Sequence, residues 1–236
     1  MKYAIIAAGE GSRLAQEGIV SPKPLVKVDG EMLIDRLIRV FMAQGASEID
    51  VICNEQMKAV AEHLEEIRQQ GDIPLRFIVK STPSSMHSLW ELSSWLDDEP
   101  FVLTTVDTIF REAEFSTYIR QFETLVESGQ ADCLMGVTDY IDDEKPLYVD
   151  ADDDLHITGF LDSCDHPKYI SGGIYGLTPV CLATLRRCID RGESRMRNFQ
   201  RALVSDGLKL QAWSFSKILD VDHASDIQKA EAFIKS

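Results

Sequence analysis

Apolar residues along the chain follow two spacings, one typical of buried strands and one typical of amphipathic helices. Near the amino terminus, Tyr3 to Ala8 form a continuous apolar run of strand length. Such a run is typical of a strand that is buried on both faces of a parallel sheet. From Leu33 to Gln44 apolar residues return every three or four positions, and Gly45 follows as a stop signal. This pattern predicts an amphipathic helix.

The same alternation of strand and helix continues as far as Val137. Further strands are predicted at 48–53, 75–79, 101–106 and 132–137, and further helices at 57–70, 86–96 and 115–126. Strands that alternate with helices predict an α/β fold with a doubly wound, mostly parallel, Rossmann-like sheet and right-handed crossovers.

The alternation changes after Thr138, where an acidic stretch from Asp139 to Asp154 precedes shorter predicted strands. These elements predict a small β-rich subregion on the substrate side. The later strands are predicted at 146–149, 155–160, 169–177, 210–215 and 218–221, and the later helices at 179–190, 196–204 and 224–234. No linker or repeat interrupts the pattern, so residues 1–236 are expected to form a single domain.

Composition and charge limit the cellular compartments and the classes of binding partner that can be expected. No apolar run is long enough to span a membrane, and the first strand begins too early for a signal peptide, so we expect a cytoplasmic protein. Five scattered cysteines without a Cys-x-x-Cys pair predict buried free thiols rather than disulfides. A net charge of −15 argues against nucleic acid or an anionic membrane as a partner.

The turn after the first predicted strand carries the first candidate chemistry. Its small residues allow backbone N–H groups to approach a phosphate or a nucleobase. Arg13 adds a planar cationic fork, and Lys23, between two prolines, adds a point charge. The candidate nucleotide-binding residues are Ala7, Ala8, Gly9, Gly11, Ser12, Arg13 and Lys23.

Two well-known phosphate-binding motifs do not fit this turn. The Rossmann fingerprint needs a third glycine where Leu14 stands, and the phosphate loop of kinases needs a Gly-Lys-Ser/Thr sequence that is absent. Instead, the stretch from Ala7 to Leu14 together with Pro22-Lys23-Pro24-Leu25 resembles the signature of nucleotidyltransferases that activate sugar phosphates and phosphocholine. This resemblance implies the nucleotide-diphospho-sugar transferase type of fold.

The resemblance also implies roles for individual residues. Arg13 and Lys23 correspond to the catalytic cations, with Arg13 at the β- and γ-phosphates and Lys23 at the α-phosphate. Asp107 and Asp220 correspond to the two ligands of Mg²⁺, and Asp222 is the alternate for the second ligand. The family strand that packs against the acceptor matches Gly172-Gly173, for which a strand bulge is the simpler alternative.

The implied reaction joins a nucleoside triphosphate, with CTP or UTP favoured, to a small phosphomonoester and releases pyrophosphate. A phosphate monoester is already nucleophilic at neutral pH, so positioning and charge stabilisation are required rather than a general base. Whether the acceptor is a sugar 1-phosphate or a phosphocholine-like alcohol phosphate stays open, as does the nucleobase.

Two other functions compete with this interpretation. A nucleotide-sugar-dependent glycosyltransferase would use a similar sheet, but the Asp-x-Asp sequence of Asp220 to Asp222 stands late in the chain, and Arg13 and Lys23 would be needless. A non-catalytic nucleotide-binding module ranks last, because all of the expected cationic and acidic positions are occupied.

Overall fold

The fold is described by a computed structural model that covers residues 1–236. The thirteen strands are β1 (Lys2–Ala7), β2 (Lys27–Val28), β3 (Glu31–Met32), β4 (Glu48–Cys53), β5 (Leu75–Val79), β6 (Phe101–Thr105), β7 (Thr108–Ile109), β8 (Cys133–Thr138), β9 (Tyr148–Ala151), β10 (Ile157–Leu161), β11 (Tyr169–Leu177), β12 (Leu210–Phe215) and β13 (Leu219–Asp220). The eight α-helices are α1 (Ser12–Gln16), α2 (Leu33–Ala43), α3 (Lys58–Gln70), α4 (Ser85–Leu92), α5 (Glu112–Glu127), α6 (Val180–Asp190), α7 (Met196–Ser205) and α8 (Ala224–Lys235).

The central sheet contains nine strands, and its amino-terminal part is parallel. The order β6-β1-β4-β5 is held by parallel pairing, with Ile5 opposite Val51 of β4 and Thr104 of β6. Helices connect these strands, as parallel pairing requires. The predicted doubly wound, mostly parallel α/β fold is therefore confirmed.

The carboxy-terminal part of the sheet is mixed. Strand β11 runs antiparallel to both β6 and β8, and β12 runs parallel to β8. The β9–β10 hairpin extends the sheet from the start of β11. No helix lies between β8 and β11, so the chain can return in the opposite direction. This hairpin and the adjoining strands form the predicted β-rich subregion.

Helices cover both faces of the sheet, and β1 shows why its sequence is continuously apolar. Tyr3 and Ile5 point into a core formed with α2, α3, α5 and α8, whereas Ala4 and Ile6 point into a second core formed with α4, α6 and α7. All four side chains are buried. A strand between two cores has no polar face, so period-two alternation is absent.

Most predicted elements lie within two residues of the observed bounds, and the short ones were missed. The two-residue strands β2, β3 and β7 and the five-residue helix α1 have no counterpart in the prediction, whereas β13 lies within the strand predicted at 218–221. Elements this short contain too few residues for a periodic pattern to appear.

The state of the cysteines and the character of the helices agree with what the composition predicts. All five cysteines are free thiols, and four of them are buried. None of the helices combines the length and the apolar character that a bilayer crossing requires.

Candidate active site

A cavity of about 720 Å³ opens at the carboxyl ends of β1, β4 and β6. Ligands of open α/β sheets bind at this edge because the loops there diverge. The cavity is lined mainly by polar residues contributed by the turn after β1, the start of α4, the end of β6, the bulge of β11, the start of α7 and the end of β13.

The turn after β1 forms one wall of the cavity. Gly11 has a φ of +61°, and a Cβ atom there would lie 3.0 Å from the Cβ of Lys23. Glycine is therefore needed both for the backbone conformation and for the close approach to Lys23. Ala8, Gly9, Gly11 and Ser12 all line the cavity, as predicted residues of the nucleotide site. Ala7 belongs to the same prediction, but its side chain is fully buried in the core beneath the turn.

Lys23 lies on the floor of the cavity, where its side chain is only 8% exposed. Its Nζ donates to a carboxylate oxygen of Asp107 and, at 2.7 Å, to Oδ1 of Asp222. Burial by itself would lower the pKa of Lys23, but the charges of Asp107 and Asp222 more than offset it and raise the pKa. The ammonium therefore stays protonated and can meet an anionic ligand.

Arg13 reaches the same acidic group from helix α1. Its Nη1 donates to Oδ2 of Asp222 over 2.9 Å, and about half of its side chain is exposed. Arg13 and Lys23 thus hold the two oxygens of one carboxylate. The two predicted catalytic cations converge, although they are separated by a helix and a turn in the sequence.

The predicted metal ligands come from two paired strands. Asp220 lies in β13 opposite Thr108 of β7, and the N–H of Val221 donates to the carbonyl of Asp107 over 3.1 Å. This pairing brings the Asp107 and Asp220 segments together at the cavity, which both residues line. Asp222, the alternate predicted ligand, follows β13 and accepts hydrogen bonds from both Arg13 and Lys23.

The carboxylates suit a divalent cation that is shared with a ligand. Asp220 keeps exposed surface at the cavity, but crowding by the surrounding protein raises the pKa of its carboxyl group above the usual value, and the charge of Asp107 raises it further. A cation would relieve this repulsion. No group of three or more His, Cys, Asp or Glu side chains is arranged to hold a metal ion by itself. Mg²⁺ commonly takes one or two carboxylates and completes its shell with phosphate oxygens and water, so the residues fit it.

Gly172 and Gly173 form a bulge in β11, and the two glycines have different surroundings. The register of β11 against β8 shifts between Ser171 and Ile174. Gly173 has a φ of +73° and lines the cavity, whereas a Cβ on Gly172 would collide with Ile218 on the other side. The predicted substrate-binding pair is therefore a bulge in which Gly173 alone faces the main cavity.

Several lining residues were missed by the sequence analysis. Asn54, just after β4, donates to the carbonyl of Ala8 over 3.2 Å and accepts from the hydroxyl of Ser81 over 2.9 Å. It ties the turn after β1 to the polar segment before α4. Asn54 directly follows a buried strand, and this position would have marked it as a candidate site residue, as the same position marks Asp107.

The start of α7 supplies a second missed group. Arg195, Arg197 and Gln200 line the cavity, and Gln200 donates from Nε2 to the hydroxyl of Ser171 over 2.9 Å. The sequence carries no motif here, because only tertiary packing brings α7 to the bulge of β11.

The chain matches one known protein family along nearly its whole length. The family model described as Nucleotidyl transferase matches residues 2–236. A UTP–glucose-1-phosphate uridylyltransferase of Haloferax volcanii is 23% identical over 243 residues, which cover 98% of this chain and 95% of that protein.

Solved structures share the fold. A Bacillus anthracis protein assigned as a glucose-1-phosphate thymidylyltransferase superposes with a TM-score of 0.85 at 18% identity, over 100% of this chain and 96% of the other. The CTP:phosphocholine cytidylyltransferase of Streptococcus pneumoniae superposes with a TM-score of 0.77 at 18% identity, over 98% of each chain. With a cavity that joins the glycine turn, two converging cations and the carboxylates of Asp107, Asp220 and Asp222, the chain belongs to the nucleotidyl transferase family.

Proposed function

We propose that this enzyme transfers a nucleotidyl group from a nucleoside triphosphate to a small phosphomonoester and releases pyrophosphate. The convergence of Arg13 and Lys23 on Asp222, beside the glycine turn and Asp107, carries this proposal. Paired cations beside a turn of free backbone N–H groups suit a triphosphate, whose charge must be balanced before an anionic acceptor can approach.

In the proposed reaction, an oxygen of the acceptor phosphate forms a bond to the α-phosphorus while the bond to the pyrophosphate oxygen breaks. Lys23 stabilises the charge that develops at the α-phosphate. Arg13 holds the β- and γ-phosphates and then the departing pyrophosphate. The flanking prolines Pro22 and Pro24 limit the backbone freedom around Lys23, so little entropy is lost when its ammonium is positioned.

Mg²⁺ belongs to the proposal as the ion that Asp107 would hold together with Asp220 or Asp222. When bound, it supplies positive charge at the phosphate oxygens. Because Asp222 bonds both cations, its carboxylate orients Arg13 and Lys23 at the place where a triphosphate would take over these contacts.

The cavity favours a sugar or polyol phosphate over phosphocholine as the acceptor. A quaternary ammonium group is usually bound by several converging aromatic rings. Tyr175 is the one aromatic residue that lines the cavity. Trp213 instead packs edge-on against Phe215, and Trp95 lies under the guanidinium of Arg76.

CTP or UTP remains the favoured triphosphate. Asn54 and the hydroxyls of Ser81, Thr82 and Ser88 form a polar wall next to the glycine turn, suited to hydrogen bonds with a pyrimidine. We also place the reaction in the cytoplasm, since buried free thiols suit a reducing compartment.

The proposal is tested by mixing the purified protein and Mg²⁺ with each of CTP, UTP, dTTP, ATP and GTP. The acceptors are glucose 1-phosphate, mannose 1-phosphate, inositol 1-phosphate and phosphocholine. We expect pyrophosphate and a diphosphate-linked product in equal amounts for at least one pair, detected by mass spectrometry, and no turnover with EDTA. Transfer of sugar from a nucleotide sugar, with no pyrophosphate from any pair, would contradict the proposal and favour a glycosyltransferase.

A further inference from the structure

The arginine that precedes α7 lacks the partners that other arginines have. Every other arginine of the chain contacts a carboxylate, a hydroxyl or a carbonyl group through its guanidinium, as Arg197 does with Asp162 at 2.6 Å and Arg186 with Asp190 at 3.9 Å. The guanidinium of Arg195 has no such partner, and Arg195 is exposed and lines the cavity. In a chain with 39 acidic and 24 basic residues, an arginine whose guanidinium contacts no carboxylate, hydroxyl or carbonyl group is unusual.

The backbone of Arg195 adopts an unusual conformation. Its φ is +73° and its ψ is 141°, a combination that residues with side chains rarely adopt. Its N–H donates to the hydroxyl of Ser84 over 3.1 Å, which fixes the start of α7 against the start of α4. Glycine would suit this φ better, so a residue with a side chain is strained at this position.

A second cation without a carboxylate lies on the same side of the cavity. Lys145 is exposed, lines the cavity and forms no ion pair, and its carbonyl accepts from Nη2 of Arg197 over 3.2 Å. Arg197 in turn is neutralised by Asp162. The cations at this wall therefore differ from Arg13 and Lys23, which already bond Asp107 and Asp222.

We infer that Arg195, assisted by Lys145, binds a second anionic group on the acceptor, so that the acceptor is a sugar or polyol phosphate that also carries a carboxylate or a further phosphate. This inference rests on the proposed function, in which the acceptor phosphate attacks the α-phosphate that Lys23 holds. The body of the acceptor then lies over Ser171 and Gly173, beside Gln200, and its far end meets Arg195. A cationic acceptor such as phosphocholine would be repelled there.

The test compares acceptors that differ only in the added anion. Glucose 1-phosphate is paired with glucuronic acid 1-phosphate, and glycerol 3-phosphate with 3-phosphoglycerate. Because a hydrogen bond to a charged group contributes about 1.5–3 kcal/mol, we expect the acidic member of a pair to be used with a kcat/KM roughly 10-fold higher or more. Isothermal titration calorimetry with the same pairs gives the binding preference independently of turnover.

Arg195→Gly removes the guanidinium and suits the positive φ, so loss of function cannot be attributed to misfolding. We expect this variant to lose the preference for the acidic acceptor while its melting temperature stays equal to or above that of the wild type. Arg195→Lys should keep part of the preference. Arg186→Ala removes one charge outside the cavity and should keep all of it.

Three results would overturn the inference. Equal or weaker use and binding of the acidic acceptors by the wild type would exclude a second anion. An equal loss for acidic and neutral acceptors in Arg195→Gly would assign Arg195 to the phosphate that all of them share. Weaker binding of the triphosphate alone would assign it to the nucleotide. In each case, pyrophosphate release with neutral acceptors would leave the proposed function intact. If no acceptor is turned over, the binding preference measured by calorimetry still tests whether Arg195 binds a second anion.

Discussion

Lys23 is the residue on which most of the electrostatics of the site depends. Its ammonium is nearly buried and separates the carboxylates of Asp107 and Asp222, which would otherwise repel each other. The same charge is available to a phosphate once a ligand or a metal ion engages these carboxylates. A single side chain thus links the stability of the site to its chemistry.

At this scale, we predict that Lys23→Met reduces kcat by roughly 10²–10³-fold, the usual loss when one group that stabilises transition-state charge is removed. Pyrophosphate release under saturating substrates measures it. Lys27→Met is the matched control, because Lys27 is exposed in β2 and does not line the cavity. Equal losses in the two variants would show that Lys23 has no specific role.

The sequence identified the two candidate catalytic cations more readily than it identified their partners. Arg13 and Lys23 were recognised from a contiguous motif. The pairing of both with Asp222 was not, because it joins residues about 200 positions apart and depends on where β13 ends. Asn54 and Arg195 were not predicted as site residues either, because contacts between distant segments bring them to the cavity.

Among the elements, the bulge of β11 shows how a local irregularity shapes the site. Strand β11 pairs with β9 through Tyr169 and Ile170 and with β6 from Ile174 onward. Between these two pairings Ser171 still pairs with β8, and only Gly172 and Gly173 leave the ladder, with Gly173 at the cavity. The gap provides room for a ligand at the centre of a continuous sheet.

We predict that Gly173→Ala destabilises the protein by about 1–3 kcal/mol, because its φ is +73° and the new Cβ would lie 2.9 Å from the hydroxyl of Thr108 and 3.0 Å from that of Thr105. Urea denaturation measures the change. Gly159→Ala in β10 is the control, since the nearest atom to its Cβ would be 3.8 Å away. A stability equal to the wild type for Gly173→Ala would refute the steric argument.

For the molecule as a whole, the two ends of the chain close one side of the site. Nδ1 of His223, before α8, bonds Oε1 of Glu17, after α1, over 2.6 Å, and the N–H of Ala224 donates to the other oxygen of Glu17. The hydrogen bond to Glu17, supported by the charges of nearby carboxylates, raises the pKa of His223. Because the folded pKa exceeds the unfolded one, this contribution to stability is complete below about pH 6.5 and is lost as the pH rises through the folded pKa.

We therefore predict that His223→Gln lowers the melting temperature at pH 6 by more than it does at pH 8.5. Differential scanning fluorimetry across this range provides the measurement. His166→Gln, which alters an exposed histidine without an ion pair, should show the same small change at both pH values. A His223→Gln effect that does not vary with pH would mean that the charge of His223 contributes nothing.

The sequence by itself determined the alternation of strands and helices, the doubly wound sheet and the turn with Arg13 and Lys23, because each depends on the spacing of neighbouring residues and on local backbone geometry. Only the tertiary structure decided that β11 runs antiparallel, that Asp222 binds both cations and that Arg195 stands without a partner in the cavity. Those features arise from contacts between segments that are distant in the chain, and no local pattern records which distant segments pack together.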